Sequence, residues 1–302
     1  MTAEIPFNKT MEFAYGVPRE LAPGIVRLVA NNPSPFTFHG TNTYLIGSRE
    51  LALIDPGPED EAHFEAIMRT AAGRPITHIF ITHTHRDHTD GLDRIREATG
   101  AKICARGRSL RGPGSLKTSP SGAEFIDIDF KPDIVMGDGD VVAGPDWRLE
   151  ALFTPGHAPD HLCFAEASSN VLFCGDHVMG WNTSVVAPPE GNMTDYMRSL
   201  EKLLERSEPV FLPGHGGRIE QPSRMVKAYI VHRRWREQAI LDAVRQGHIT
   251  IDRIVAAVYQ GLDPRLVRAA SLSVLAHIES LVDRGLVNCD GPPDLDRPVS
   301  AA

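Results

Sequence analysis

The feature that most constrains this chain is a cluster of metal-binding residue types directly after an apolar stretch. Residues 76–82 alternate in the manner of a β-strand, and His83, His85, Asp87 and His88 follow in close succession. Imidazoles at positions i and i+2 beyond a strand end point the same way, so both can bind one ion, while Asp87 and His88 can turn towards a second. Without a metal, such a group would concentrate polar side chains at a cost that is difficult to offset. The cluster therefore predicts a site for two metal ions.

Three more candidate ligands occur later in the chain, each in a tight turn after an apolar run. They are His157 in TPGH, Asp176 in CGDH and His215 in LPGH. A tetrahedral site needs a third protein ligand and an open position for water, and these turns can supply the ligand. Their glycines allow the sharp turn and leave room for a substrate.

The pattern of apolar residues predicts an α/β fold. Over roughly the first three-fifths of the chain, short apolar runs alternate with helical patterns, which is typical of α/β domains. Predicted strands cover residues 51–54, 76–82, 125–129, 147–153, 162–165, 171–174 and 210–212, and predicted helices cover residues 61–72 and 91–99. The histidine cluster thus lies where a strand ends and a helix begins, which is where open α/β sheets place their ligands.

Composition limits the class of protein. The chain has 302 residues, a net charge of −8 and only four cysteines, none of them in a CxxC pair. This profile indicates a globular protein with free thiols and does not favour non-specific nucleic-acid binding. No stretch is apolar enough for a membrane helix, and the first residues lack the charged and apolar regions of a secretion signal, so we expect a cytoplasmic protein that does not bind membranes.

The composition changes after Gly217. A long helix is predicted over residues 223–246 with Ser223 as its cap, followed by helices over 250–259, 263–270 and 272–284 and a short strand from Leu286. We therefore predict a catalytic domain over residues 1–217, a winged-helix-like domain over 218–289, and a disordered tail over 290–302.

The motifs HTHRDH, TPGH, CGDH and PGHG resemble those of the metallo-β-lactamase-fold hydrolases over roughly residues 25–217. The resemblance implies a four-layer αβ/βα sandwich with a small C-terminal winged-helix-like domain. It also implies a dinuclear centre that holds two divalent ions, with zinc expected and manganese or iron as alternatives. A hydroxide between two such ions is available at neutral pH and makes a serine or cysteine nucleophile unnecessary.

The same resemblance assigns the ligands. His83, His85 and His157 would hold the first ion, Asp87, His88 and His215 the second, and Asp176 would bridge them, with Asp87 and Asp176 as the catalytic residues. Asp55 would orient the metal-binding loop by hydrogen bonding. His161 and His177 are interpreted as solvated side chains, with a supporting role near the metals as the alternative.

A narrower resemblance joins the chain to the lactamase-beta-2 type hydrolases. It is carried by GTNTYLIGS, LIDPG, CGDHVMG, DYMRSLEKLL and HRRWREQ and by the C-terminal segment. It implies cleavage of single-stranded RNA, in which basic residues would steer the backbone: Arg106, Arg108, Arg233, Arg234 and Arg236.

Two alternatives stay open beside the RNA hypothesis. The same centre could hydrolyse a small thioester, ester or lactone, or the C-terminal module could make the chain a regulatory or binding protein. The predicted recognition helix carries Glu279 and Asp283 and suits DNA poorly, so a lid or dimer contact is favoured for this module. The oligomeric state is open, with a homodimer as one alternative.

Overall fold

Neighbouring side chains of one strand pack into two different cores. In the strand Leu51–Ile54, Leu51 and Leu53 belong to a core that also contains helical residues, whereas Ala52 and Ile54 belong to a core shared with a second sheet. This follows from the period of two along a strand, which places successive side chains on opposite faces. The computed structural model describes residues 5–107, 126–127 and 129–302.

The first sheet is antiparallel at one side and parallel at the other. Its strands lie in chain order, and the pairing is antiparallel from β1 to β4 and parallel from β4 to β7. They are β1 (Arg19–Ala22), β2 (Ile25–Val29), β3 (Asn42–Ile46), β4 (Leu51–Ile54), β5 (Ile76–Phe80), β6 (Lys102–Ala105) and β7 (Ile134–Val135).

The second sheet has five strands in the order β12-β11-β10-β9-β8. Only β11 and β12 are parallel, and the other neighbours are antiparallel. The strands are β8 (Val141–Ala143), β9 (Arg148–Phe153), β10 (Leu162–Glu166), β11 (Val171–Gly175) and β12 (Val210–Pro213).

Helices cover the outer faces of both sheets. Helix α1 begins after Asp60, whose carboxylate accepts a hydrogen bond from the His63 amide, and it ends before Ala72, which is left-handed at φ 52°. The helices are α1 (Glu61–Ala71), α2 (Arg86–Thr89), α3 (Leu92–Thr99), α4 (Met193–Leu204), α5 (Pro222–Arg245), α6 (Ile251–Val258) and α7 (Val267–Asp283).

Three hydrophobic cores lie between the layers of helices and sheets. Phe80, Phe164 and Phe173 fill the space between the two sheets, helices α1 and α3 cover the first sheet, and α4 and the start of α5 cover the second. The predicted four-layer αβ/βα sandwich is therefore confirmed. The motifs that carry the candidate metal ligands follow β5, β9, β11 and β12 and meet at one edge of the sandwich. The packing of the layers therefore determines where the candidate site lies.

A fourth core forms the C-terminal part. The second half of α5 packs with α6, α7 and a two-stranded sheet of β13 (Val287–Cys289) and β14 (Val299–Ala301). Strand β14 shows that the prediction of a disordered tail over 290–302 is wrong. Val299 is buried in this core and its amide donates to the Ile249 carbonyl.

Two predictions about the C-terminal helices are also wrong. Helix α5 begins after Gln221 with Pro222 in its first turn, so Ser223 is not its cap; proline is well suited to this position because its missing N–H has no helical partner there. The predicted helices 263–270 and 272–284 form one continuous helix, α7, preceded by a 3₁₀ turn over Pro264–Leu266.

The basic residues Arg108, Arg111 and Lys117 lie outside the described residues, as do positions 125 and 128 of the predicted strand over 125–129. Ile126 of that strand forms an isolated bridge with His85. Within the described ranges no helix combines the length and apolarity that crossing a bilayer requires.

Candidate metal centre

The histidine cluster begins where β5 ends and is held there by the neighbouring strand. Asp55, directly after β4, accepts hydrogen bonds from the Thr82 amide at 2.9 Å and the Thr82 hydroxyl at 2.8 Å. The chain then passes through His83, is extended at His85, and enters the short helix α2, which carries Asp87 and His88. The first four predicted ligands therefore come from one rigid turn.

The first three-histidine group is close-packed. His85 Nδ1 lies 2.8 Å from His83 Nε2 and 3.1 Å from His157 Nε2, and these three nitrogens form one potential ligand set. His157 reaches the set from the turn after β9. These are the three residues assigned to the first ion.

The second group contains the residues assigned to the second ion. Asp87 Oδ2 lies 3.4 Å from His88 Nε2 and 3.3 Å from His215 Nε2. His215 follows β12, so this group joins an element of each sheet. The two sheets therefore meet at the candidate centre.

Asp176, after β11, lies between the two groups. Its Oδ2 is 3.7 Å from His157 Nε2 and 3.2 Å from His215 Nε2, and its Oδ1 is 3.7 Å from His88 Nε2. A carboxylate in this place can contact ions in both groups. The structure thus brings all seven predicted residues together, and their binding of metal remains a prediction.

Hydrogen bonds on the far side of each imidazole orient the rings. His88 Nδ1 lies 2.8 Å from Asp55 Oδ2, His157 Nδ1 lies 2.6 Å from the Val185 carbonyl, and His215 Nδ1 lies 3.2 Å from the Gly40 carbonyl. When Nδ1 donates to an oxygen, Nε2 presents its lone pair to the centre, which is how metal-binding histidines are usually supported. Asp55 therefore occupies the orienting position predicted for it.

Two further histidines lie beneath Asp176. His161 Nε2 accepts a hydrogen bond from the Asp176 amide at 3.2 Å, and its Nδ1 lies 2.9 Å from the Thr154 hydroxyl. His177 is fully buried and packs against the Tyr196 ring. The interpretation of both as solvated side chains is therefore wrong, and His161 supports the backbone of Asp176.

The electrostatics of the cluster favour a positive charge. Burial lowers the pKa of His85 to about 3. Burial also acts to lower the pKa of His215, but the carboxylates of Asp176 and Asp87 outweigh it and raise this pKa to about 10. The buried carboxylates thus stabilise a cation among the imidazoles, and a divalent ion is a cation of this kind.

Two buried atoms in the cluster show that a metal fits. His88 Nε2 and Asp176 Oδ1 have no hydrogen-bond partner among the residues that the structure describes, although both are shielded from water. Buried polar atoms are almost always paired, so two unpaired atoms that face each other call for an explanation. Both atoms belong to a possible ligand set, and bound ions would satisfy them.

Gly214 shows why the turn before His215 contains glycine. A Cβ at this position would lie 2.4 Å from Asp176 Oδ1 and 2.9 Å from His88 Cε1. Any larger residue would displace two candidate ligands. The glycine therefore permits the β12 turn to approach the centre.

An aromatic group beside the centre was not found from the sequence. Phe38 stacks on Trp181 at 4.7 Å between ring centroids, and His39 packs between Phe38 and Phe13. Trp181 also lies against Gly216, next to His215. We call Phe13, Phe38, His39 and Trp181 the aromatic rim. The residues PFTFHG, directly before the GTNTY motif, are the signal that could have indicated part of it.

The described arginines proposed to steer RNA have other contacts. Arg106 packs on the Phe153 ring, Arg233 is buried and donates to the Ser184 carbonyl, Arg234 pairs with Glu201, and Arg236 packs on the Tyr259 ring. They do not form a continuous basic strip among the described residues. Arg108 lies outside the described part of the chain.

Comparison with known proteins defines the class. Residues 36–215 match the Metallo-beta-lactamase superfamily and residues 250–292 match the Beta-lactamase associated winged helix domain. The chain therefore belongs to the metallo-β-lactamase superfamily, whose members are generally hydrolases that bind metal ions. The predicted family and winged-helix module are confirmed.

Individual relatives narrow the comparison. The chain is 32% identical to a Beta-lactamase-like protein 2 homolog of Drosophila melanogaster, covering 88% of this chain and 90% of that one. It is 31% identical to an atrochrysone carboxyl ACP thioesterase of Aspergillus fumigatus, over 74% of this chain and 66% of that one. A β-lactamase domain protein of Burkholderia ambifaria has the same fold, with a TM-score of 0.80 at 20% identity over 97% of this chain and 95% of that one.

Proposed function

We propose that this protein is a hydrolase with a dinuclear metal centre that cleaves an acyl thioester. The observation that carries the proposal is the placement of Asp176 between two three-residue ligand groups, with buried polar atoms that have no hydrogen-bond partner in the described part of the chain. His83, His85 and His157 would hold one ion and Asp87, His88 and His215 the other. Zinc is the expected metal, with manganese or iron as alternatives.

The chain's own residues prepare the reaction. Two divalent ions, when bound, supply a water of lowered pKa and positive charge for the oxygen that becomes anionic. Asp87, whose side chain is 29% exposed, and His85 are the two candidate ligands that are not fully buried, so they face the side from which substrate would enter. The Thr41 hydroxyl donates to Asp87 Oδ2 at 3.0 Å and fixes the carboxylate, whose Oδ1 can accept a hydrogen bond from the attacking water.

The rim favours an apolar acyl group over a polyanion. Phe38 and Trp181 form a stacked pair beside His215, and the described arginines are engaged elsewhere. Two relatives of this chain carry the name atrochrysone carboxyl ACP thioesterase, which supports a thioester as the bond that is cleaved. Water would add to the carbonyl carbon, the C–S bond would break, and the thiol would leave with a proton.

The test compares substrates on the same metal-loaded protein. We expect chelator-sensitive hydrolysis of an aromatic acyl thioester, with much slower cleavage of a chromogenic lactam and of fluorescent single-stranded RNA. RNA cleavage without thioester hydrolysis would overturn the thioester assignment and restore the RNA hypothesis. Thioester hydrolysis that persists after metal removal would overturn the metal mechanism.

A rim variant tests the substrate assignment separately. Phe38, which stacks on Trp181, is replaced in Phe38→Ala, and Trp235 of α5, an exposed aromatic residue outside the rim, is replaced in Trp235→Ala as the control. We expect the first change alone to raise KM for an aromatic acyl thioester and to leave KM for an acetyl thioester unchanged. Equal effects on both substrates would contradict an acyl-binding rim.

A further inference from the structure

A second polar cavity lies where helices α4, α5 and α7 meet. Its volume is about 220 Å³ and none of the seven candidate metal ligands lines it. The walls carry four arginines, with only two glutamates, Glu201 and Glu237, to balance them. The arginines are Arg198, Arg233, Arg234 and Arg284; His277 also lines the cavity but is neutral near pH 7, because burial lowers its pKa to about 4. The cavity therefore carries an excess of positive charge in a chain whose net charge is −8.

Two of these side chains are buried and incompletely paired. Arg233 is 5% exposed; one of its terminal nitrogens donates to the Ser184 carbonyl, but its Nε has no partner among the described residues. His277 is 1% exposed, and within the described part of the chain neither ring nitrogen has a hydrogen-bond partner; the Glu237 carboxylate lies 4.0 Å from Nδ1. Unpaired buried donors are costly, so a ligand rich in acceptor oxygens would satisfy what the protein leaves open.

The other arginines of the cavity wall are exposed and lie near carboxylates. Arg284 pairs with Glu237 at 2.6 Å, Arg234 pairs with Glu201 at 2.9 Å, and Arg198 lies 3.9 Å from Asp195. The exposed fraction of these side chains is 46% for Arg284, 65% for Arg234 and 76% for Arg198. Guanidinium groups match the geometry of phosphate oxygens and can exchange a carboxylate partner for a phosphate.

We propose that this cavity is a binding site for a phosphate-class oxyanion, taken up as inorganic phosphate or as the phosphoryl group of a larger molecule. Arg233 and His277 form its floor and the three accessible arginines its mouth. The volume exceeds the roughly 30 Å³ that one water occupies in the liquid by enough to hold such an anion with part of its hydration shell.

The site adjoins the loop that carries Asp176. Arg233 donates to the Ser184 carbonyl, and the Ser184 hydroxyl donates to the carbonyl of Asp176 at 2.6 Å. Tyr196, whose ring packs against Arg233, donates to the His177 carbonyl at 2.8 Å. A bound anion would therefore contact the same hydrogen-bonded segment that positions the candidate bridging carboxylate.

Calorimetric titration of the full chain tests the proposal. Metal is first removed from the protein, because ions bound at the candidate centre could themselves bind the probe. The protein is then titrated with inorganic phosphate and with phenyl phosphate at constant ionic strength. Binding of both probes would indicate a site for free phosphate, and binding of phenyl phosphate alone would indicate the phosphoryl group of a larger molecule.

A matched pair of variants assigns the binding to this cavity. Arg284 and Arg94 are 46% and 45% exposed and each pairs with a glutamate, but only Arg284 lines the cavity. We expect Arg284→Gln to weaken binding by about tenfold or more, because it removes a charged donor and frees Glu237. Arg94→Gln should leave it unchanged. Absence of binding to the wild-type chain, or equal affinity of the two variants, would overturn the proposal.

Discussion

At the scale of single residues, Asp55 shows how a side chain outside the ligand set prepares the centre. It lies at φ 51°, a left-handed conformation that few residues other than glycine, asparagine and aspartate adopt easily. From there its carboxylate contacts both the backbone of the histidine turn and the ring of His88. One residue therefore fixes the position of the turn and the orientation of a ligand.

Asp55→Asn should weaken metal binding while preserving the fold. Asparagine tolerates the left-handed conformation. Its NH2 group, however, replaces one carboxylate oxygen, so the side chain can no longer accept hydrogen bonds from both Thr82 and His88 as Asp55 does. We expect the affinity for zinc to fall by about 10- to 100-fold in competition with a chromogenic chelator. Asp93→Asn, an exposed change on α3, is the control. An unchanged affinity in Asp55→Asn would show that Asp55 does not support a metal ligand.

Asp176→Ala should abolish turnover without unfolding the protein. The change removes the carboxylate between the two ligand groups and leaves the hydrogen bond between the Asp176 amide and His161 available. We expect turnover to fall by at least about a thousandfold, because metal-ion stabilisation of the transition state is worth several kcal/mol. Circular dichroism should match the wild type. Retained full activity would contradict the two-ion mechanism.

At the scale of elements, α1 contributes a buried histidine that makes the fold sensitive to acid. His63 lies 2.8 Å from the Thr43 hydroxyl, and burial lowers its pKa to about 4. The unfolded chain therefore binds a proton near pH 6.5 that the folded chain does not bind until near pH 4. Stability from this group is complete above pH 6.5 and falls as the pH decreases towards 4.

His63→Gln should reduce this acid sensitivity. Between pH 7 and pH 5 the wild-type chain should lose on the order of 2 kcal/mol more in unfolding free energy than the variant does. Urea denaturation of the two proteins at both pH values measures the difference and cancels the contribution of the metal ligands. A loss of the same size in both would exclude His63 as a source of the pH dependence.

The elements differ in how well the sequence predicts them. The apolar patterns predict strand β4 and helix α1 closely. Strand β4 is buried on both faces and helix α1 along one face, and each arrangement leaves a regular pattern of apolar residues in the sequence. The break placed between 270 and 272 was wrong because Ser271 lies inside a continuous helix, where its hydroxyl donates to the Val267 carbonyl. Strand β14 was missed because its burial depends on pairing with β13, which no local pattern indicates.

The same distinction separates the candidate metal ligands from the other sites. The ligands were predictable because each lies in a short motif that combines a strand end with a turn. The aromatic rim and the phosphate cavity were not, because they assemble from distant parts of the chain: Phe38 meets Trp181, and Arg233 meets His277. Contacts of this kind depend on the packing of whole helices and loops.

At the scale of the whole molecule, α5 joins the two parts of the chain. Its residues Met225 and Tyr229 belong to the core over the second sheet, and Ile240 and Val244 belong to the C-terminal core. The predicted boundary after residue 217 places the entire helix in the C-terminal domain, and the location of that boundary stays a prediction. A substitution that weakens packing in the C-terminal core should therefore also destabilise the helix that covers the second sheet.

Val299→Ala should destabilise the protein although it lies in a segment predicted to be disordered. The side chain is buried in the C-terminal core, and removal of two methyl groups should lower the unfolding free energy by about 2 kcal/mol. Ser300→Ala, an exposed change in the same strand, is the control. Equal urea midpoints for the two variants would contradict the packing of β14.

The central claim is a reaction that requires two ions in one chain. The measurement is a titration of metal-free protein with zinc, in which bound metal per chain and thioester hydrolysis are determined on the same samples. We predict that activity reaches its plateau only when about two ions are bound per chain, as expected for a two-metal mechanism. A plateau at one ion per chain, or full activity before any metal is added, would contradict the account.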